Sequence, residues 1–250
     1  MEMASGFVCV GIGAAGKDGA RVRACSRVRT RAAAGAEGVK LPPVYFVVGG
    51  PGSGKGTQCK RLVDEFSFRQ VCAGDLLREK AKDADETGAL VENCIRNGKI
   101  VPGHITMELL YAAIQRFSDC PGVLIDGFPR EMNQAVQFEA AYARARAVLF
   151  FSCSNEVLKD RLTNRGLTSG RVDDEASVIE KRINTFHEMT MPVVDYYRRN
   201  ERLQCFDAEQ APESVFDDLS GFFKAEEMRK APRKREQESK KILSGSASQA

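Results

Sequence analysis

Residues 49 to 55 read GGPGSGK, the G-x-x-x-x-G-K spacing that holds the phosphates of a nucleoside triphosphate. Phosphate oxygens in such a loop are bound by successive backbone N–H groups, which approach closely only where no Cβ intervenes. Gly50, Gly52 and Gly54 stand at those places around Ser53, and Lys55 adds a point charge for the outer phosphates. Where the pattern expects Ser or Thr after the lysine, the chain has Gly56, with Thr57 one place later. The hydroxyl that usually reaches Mg²⁺ is therefore missing, so the metal must be held by nucleotide oxygens, by water and by an acid from elsewhere. Asp126, which ends the apolar run VLI, is the candidate for orienting that water; the competing reading is an aspartate that caps a helix.

Cations recur downstream in short strings. AGDLLRE carries Arg78, IDGFPRE carries Arg130, KDRLTNRG carries Arg161 and Arg165, TSGRVDD carries Arg171, and IEKRINTF carries Arg182. Phosphoryl transfer between two nucleotides brings two strongly anionic groups together, so it needs several cations around the transferred group and a site closed to water. It needs no nucleophilic side chain, because an oxygen of the monophosphate is the acceptor. A guanidinium fork matches paired phosphate oxygens. Each arginine taken singly also fits a solvated surface position. Neither His104 nor His187 is needed by this chemistry, and both read as packing or surface residues.

These groups need a frame. The apolar runs VYFVV (44 to 48), VLI (123 to 125) and VLFF (148 to 151) predict strands buried on both faces, as in a parallel sheet covered by helices. After the loop, Cys59, Leu62, Val63 and Phe66 recur at i, i+3, i+4, i+7 and predict a helix stripe. The loop thus follows a strand and opens a helix, the setting in which its glycines bind phosphate.

The 250 residues suffice for one sizeable domain, and 28% charged with 43% hydrophobic residues is an ordinary globular mixture. A net charge of +3, with much of the basic excess at the two ends, gives no argument for a nucleic-acid partner of the folded part. No stretch approaches the run of about 18 apolar residues that a membrane helix needs. Eight cysteines are scattered without a C-x-x-C pair, unlike a metal site or a disulfide framework. Residues 1–40 are rich in Ala, Gly and Arg and poor in acids, and fit either an organelle transit peptide or a disordered extension. Residues 224–250 form a basic, then Ser/Gly/Ala-rich tail without a broad apolar face, and its RKAPRKR cluster reads as a nuclear signal, a nucleic-acid contact or a solvated run.

The string GPGSGKGTQ, with glycine after the lysine, and the arginine strings in this order resemble the adenylate kinase family of nucleoside monophosphate kinases. The resemblance implies an α/β fold of the P-loop NTPase kind: a three-layer sandwich with a five-stranded parallel sheet and helices on both faces. It implies a kinase domain over 43–223, with a monophosphate-binding insert at 72–101 and a short lid at 164–174. ATP would be bound by Gly50, Gly52, Ser53, Gly54, Lys55, Gly56, Thr57, Arg161 and Arg165. The monophosphate would be bound by Cys72, Ala73, Arg78, Lys99, Ile100, Val101, Gly127, Phe128, Pro129, Arg130, Gln134, Arg171 and Arg182. Lys55, Arg130, Arg165, Arg171 and Arg182 would carry the catalysis, with Mg²⁺ arriving with ATP and Asp126 reaching it through water. The family default is a cytoplasmic monomer; the basic tail leaves the nucleus open, and the leader leaves plastid or mitochondrial import open.

For the accepting base, Ala73 stands where alanine is usual in UMP-CMP kinases and threonine in short adenylate kinases, and NGKIVPGHIT is similar to the pyrimidine branch. Gln134 stands where adenylate kinases have glutamine and many UMP-CMP kinases asparagine, yet DGFPREMNQAVQFE resembles the fungal uridylate kinase version, in which alanine and glutamine occur together. The resemblance therefore favours UMP and CMP as acceptors, with AMP weaker. Two alternatives are an adenylate kinase proper and a non-catalytic nucleotide-binding module; a guanine-reading N-K-x-D string is not found.

Overall fold

The structure is a computed structural model that describes residues 42–230 apart from 118 and 143. The leader expected over 1–40, and the tail beyond 230, lie outside the described residues.

The three apolar runs form the centre of a sheet: β1 (Val44–Gly49), β3 (Val123–Asp126) and β4 (Ala147–Ser152). Two shorter strands flank them, β2 (Arg69–Cys72) and β5 (Leu203–Asp207). All pairings are parallel and the order is β2-β3-β1-β4-β5. The five-stranded parallel sheet implied by the family resemblance is thus present. Its central strands are buried on both faces because helices cover both.

One face carries Val44, Phe46, Val48, Ile125 and Val148, packed against α4 (Gly103–Ile114), α5 (Met132–Ala141) and α8 (Met191–Arg199). The other carries Tyr45, Val47, Leu124 and Leu149, packed against α1 (Lys55–Phe66) and α9 (Pro212–Lys230). In α1 the predicted stripe is buried at Cys59, Leu62 and Phe66, while Val63 is half-buried. After β2 the chain forms α2 (Ala73–Lys80) and α3 (Glu86–Arg96), which share a small core of Leu77, Val91, Val101 and Ile105 with the start of α4. After β4 come α6 (Asn155–Ser169), a 3₁₀ turn at Val172–Asp174 and α7 (Ala176–Thr185), joined by Leu158, Leu162, Ile179 and Ile183.

The final helix departs from the sequence reading, which began an unpacked tail at residue 224. Helix α9 runs on to Lys230, because KAEEMRK is made of good helix formers. Lys224 pairs with Glu65 at 2.9 Å, and Glu226 accepts from Arg146 Nε at 2.9 Å.

The order of the strands sets the position of the site. From β1 the chain crosses to β2 at one edge, returns to β3 beside β1, and then passes to β4 on the far side of β1. The change of direction opens a crevice at the carboxyl ends of β1 and β3. The register places Val47, Asp126 and Cys72 level with one another at that end.

Candidate active site

A cleft of about 1140 Å³ occupies this end of the sheet. Its floor is the turn between β1 and α1. Gly52 and Gly54 both hold φ 85°, the left-handed region that favours glycine. At Gly50 a side chain is excluded by packing, since a Cβ there would stand 2.4 Å from Leu158 Cδ1 of α6. No side chain caps α1 and no acid stands in its first turn. The leading N–H groups of that helix, with the positive end of its dipole, are thereby left for an anion.

Lys55 is folded back over the loop, donating from Nζ to Gly49 O (2.9 Å), Gly50 O (2.7 Å) and Ser53 Oγ (3.1 Å). Burial lowers its pKa to about 8, opposed by the nearby Asp126 carboxylate. Asp126 is 6% exposed, and burial raises its carboxyl above the usual range against the pull of Lys55. Its Oδ2 accepts from Gln70 Nε2 at 3.1 Å and lies 3.5 Å from where a Cβ on Gly56 would be. Asp126 does not cap α5, whose N-cap is Glu131. Among the described residues no group of three or more His, Cys, Asp or Glu side chains could hold a metal ion. This donor set fits a Mg²⁺ that arrives on nucleotide oxygens and meets one carboxylate through water.

All six arginines singled out from the sequence border the cleft, together with Lys55, Lys99, Ile100, Cys72, Gly127 and Pro129. Ala73, Val101, Phe128 and Gln134 do not; they are buried behind its wall. Gln134 Oε1 accepts from the backbone N–H of Arg130 at 3.0 Å, so this side chain holds the turn that carries Arg130. Arg130 Nε donates to Gly127 O at 3.1 Å, and Arg161 Nη1 to Ala208 O at 2.8 Å. Burial lowers the pKa of Arg130 and of Arg182, and each senses other guanidinium groups as a further destabilising charge. For Cys72, burial and then Asp126 push the thiol up to about 11, so it remains protonated at neutral pH. Both histidines are exposed.

Three acids hold the arginines, and the sequence reading gave none of them a role. Asp174, on the 3₁₀ turn, accepts both Arg165 Nε and Nη2 at 2.7 Å and Arg182 Nη1 at 2.8 Å. Burial alone would raise its carboxyl, but these guanidinium groups hold it below the usual range. Asp173 lies 3.1 Å from Arg182 Nη2 and 3.6 Å from Arg78 Nη1, while its Oδ1 is buried without a hydrogen bond among the described residues. Asp75 pairs with Arg78 and lies 3.7 Å from Arg171 Nη2. The only signal for these acids was their place inside the arginine strings. The cleft thus presents converging, pre-oriented guanidinium forks opposite an uncapped helix, a shape that can clamp a chain of phosphates from both sides.

A family model described as adenylate kinase matches residues 47–202. The chain is 47% identical over 184 residues to a UMP-CMP kinase of Lentinula edodes, an alignment covering 69% of this chain and 81% of that protein. It is 44% identical over 179 residues to a uridylate kinase of Saccharomyces cerevisiae, covering 70% and 88%. It is also 42% identical over 176 residues to an adenylate kinase isoenzyme 1 of Caenorhabditis elegans, covering 70% and 84%.

Proposed function

The chain belongs to the adenylate kinase family, and from that premise we propose that it transfers the γ-phosphoryl of ATP to UMP and CMP, giving UDP or CDP and ADP, with AMP a weaker acceptor. The observation that carries this reading is the convergence of Arg78, Arg130, Arg165, Arg171 and Arg182 with Lys55 on one cleft beside the phosphate loop.

In the proposed reaction an oxygen of the monophosphate forms a bond to the γ-phosphorus as the bond from that phosphorus to the β-bridging oxygen breaks. The electron pair of the broken bond leaves on ADP. No side chain takes a proton from the nucleophile, since the monophosphate is already an anion. The protein's task is to overcome repulsion and to fix the line of approach. The loop backbone and Lys55 hold the donor phosphates, with Arg161 and Arg165 on that side. Arg78 and Arg130 grip the acceptor phosphate, while Arg171 and Arg182 bridge the two. Asp126 would hold the water of a Mg²⁺ arriving with ATP, and that ion would supply charge neutralisation at the phosphate oxygens.

Ala73 and the NGKIVPGHIT stretch support the pyrimidine assignment, as do the names of the UMP-CMP kinase and uridylate kinase relatives. ATP and a nucleoside monophosphate are the partners in this reading, with a cytoplasmic monomer as the family default and import into an organelle left open by residues 1–40. Among the described residues no helix is long and apolar enough to cross a membrane.

An acceptor panel tests the proposal: ADP formation from ATP with UMP, CMP and AMP side by side. We expect UMP and CMP to exceed AMP in kcat/KM by about tenfold or more. A preference for AMP of that size would make the chain an adenylate kinase, and ADP production that ignores the monophosphate would remove the transferase reading.

A further inference from the structure

Thr190 makes a contact that the phosphate-binding roles leave unexplained. A threonine inside a helix ordinarily donates to the carbonyl four residues back. Among the described residues Thr163 Oγ1 does this to Lys159 O at 2.9 Å, and Thr185 Oγ1 lies 2.8 Å from Lys181 O while also reaching Gly98 O at 3.0 Å. Thr190 instead donates over 2.8 Å to the carbonyl of Arg130, sixty residues away in sequence.

The cause is local. Pro192 has no N–H to give to the turn before it, and its ring presses on the carbonyl four residues back. Between α7 and α8 the helix widens into a π turn at Phe186–Thr190. One extra residue in a turn rotates the later side chains by about 100° around the axis. Thr190 thereby comes to border the cleft, at 6% exposure.

Among the described residues Arg130 is held by hydrogen bonds at three points. Its N–H and its Nε bond within four residues, to Gln134 and Gly127, and fix only the local turn. Among the described residues the Thr190 bond is its one hydrogen bond to a distant element, the continuous helical run whose α7 portion carries Arg182. The guanidinium groups of Arg130 and Arg182, both half-buried, repel each other. Without a tether, the arginines could relax apart and lose their common focus.

We propose that Thr190 is a positioning residue for phosphoryl transfer, locking the backbone of Arg130 to the helical run that presents Arg182 so that both guanidinium groups meet the same phosphate. The inference rests on the reading of Arg130 as the group that grips the monophosphate.

The test compares full-length protein with Thr190→Val, Thr190→Ser and Arg130→Ala, reading kcat, KM for UMP, KM for ATP and thermal unfolding. Thr190→Val is expected to lower kcat/KM for UMP about tenfold, the scale of one lost buried hydrogen bond, while KM for ATP stays within about twofold. Thr190→Ser is expected to restore most of the loss. The proposal is overturned if Thr190→Val retains normal kcat/KM for UMP while Arg130→Ala loses it. It is also overturned if Thr190→Val weakens ATP and UMP parameters alike and Ser does not rescue, since that marks plain packing. An unchanged rate in Arg130→Ala would instead remove the underlying reading of Arg130, and the proposal with it.

Discussion

The Lys55 ammonium donates to two loop carbonyls and a serine, which engages all three of its protons, and burial lowers its pKa to about 8. A polyphosphate beside the ammonium favours the charged form, so the pKa rises on binding. Linkage gives the sign: between about pH 8 and the ordinary 10.5 the free protein has shed a proton that the complex retains. Binding in that window takes up a proton, and affinity falls as pH rises through it. Calorimetry of ATP binding near pH 8.5, in buffers of different ionisation enthalpy, should show fractional proton uptake that vanishes in Lys55→Met. Equal heats in all buffers would contradict this. Among single residues, the lysine and arginines were legible because a phosphate site demands cations in a known spacing. Asp173 and Asp174 were not, because an acid beside an arginine also fits a solvated surface pair, and only the fold shows that both are buried.

Among the elements, the opening turn of α1 joins loop geometry to metal chemistry through Gly56. A Cβ at that position meets only Asp126 Oδ2, at 3.5 Å. Gly56→Ala should therefore stabilise the helix by about 0.5–1 kcal/mol through propensity. The added methyl would also crowd the water between Asp126 and the metal, lowering kcat roughly tenfold. Gly50→Ala should do the opposite to the fold, costing about 1–3 kcal/mol, because its Cβ would overlap the fully buried Leu158. Urea unfolding with steady-state rates checks both; a destabilised Gly56→Ala, or a fully active and stable Gly50→Ala, would count against these roles. The central strands could be read from sequence because burial on both faces writes an uninterrupted apolar run. The edge strands RQVC and LQCFD bury only one residue each, so nothing in their pattern separates them from loop. The π turn at 186–190 left only Pro192 as a trace.

At the scale of the molecule, the strand order could come from resemblance but not from hydrophobic pattern, since pattern gives strands and not their neighbours. The sheet supplies a rigid frame with its own two-faced core, while the α2/α3 segment and the α6/α7 pair each rest on a separate small apolar cluster. Separate small cores are the physical basis for segments that open at lower cost than the frame. The extension of α9 belongs to the frame and not to the site. Removing residues 224–250 should cost up to about 1 kcal/mol, chiefly from the Arg146–Glu226 pair, and leave turnover unchanged. Chemical denaturation and kcat of the shortened chain check this, and a collapse in kcat would show that the end of the chain reaches the chemistry.

The central claim is that guanidinium groups from separate segments converge on one phosphoryl group between two nucleotides. The most direct measurement is a crystal structure with an adenosine–uridine bisubstrate joined by a polyphosphate bridge. We predict that the bridge lies within hydrogen-bonding distance of Lys55, Arg130 and Arg182, with its adenosine end beside Arg161. A bridge bound away from these side chains would contradict the claim.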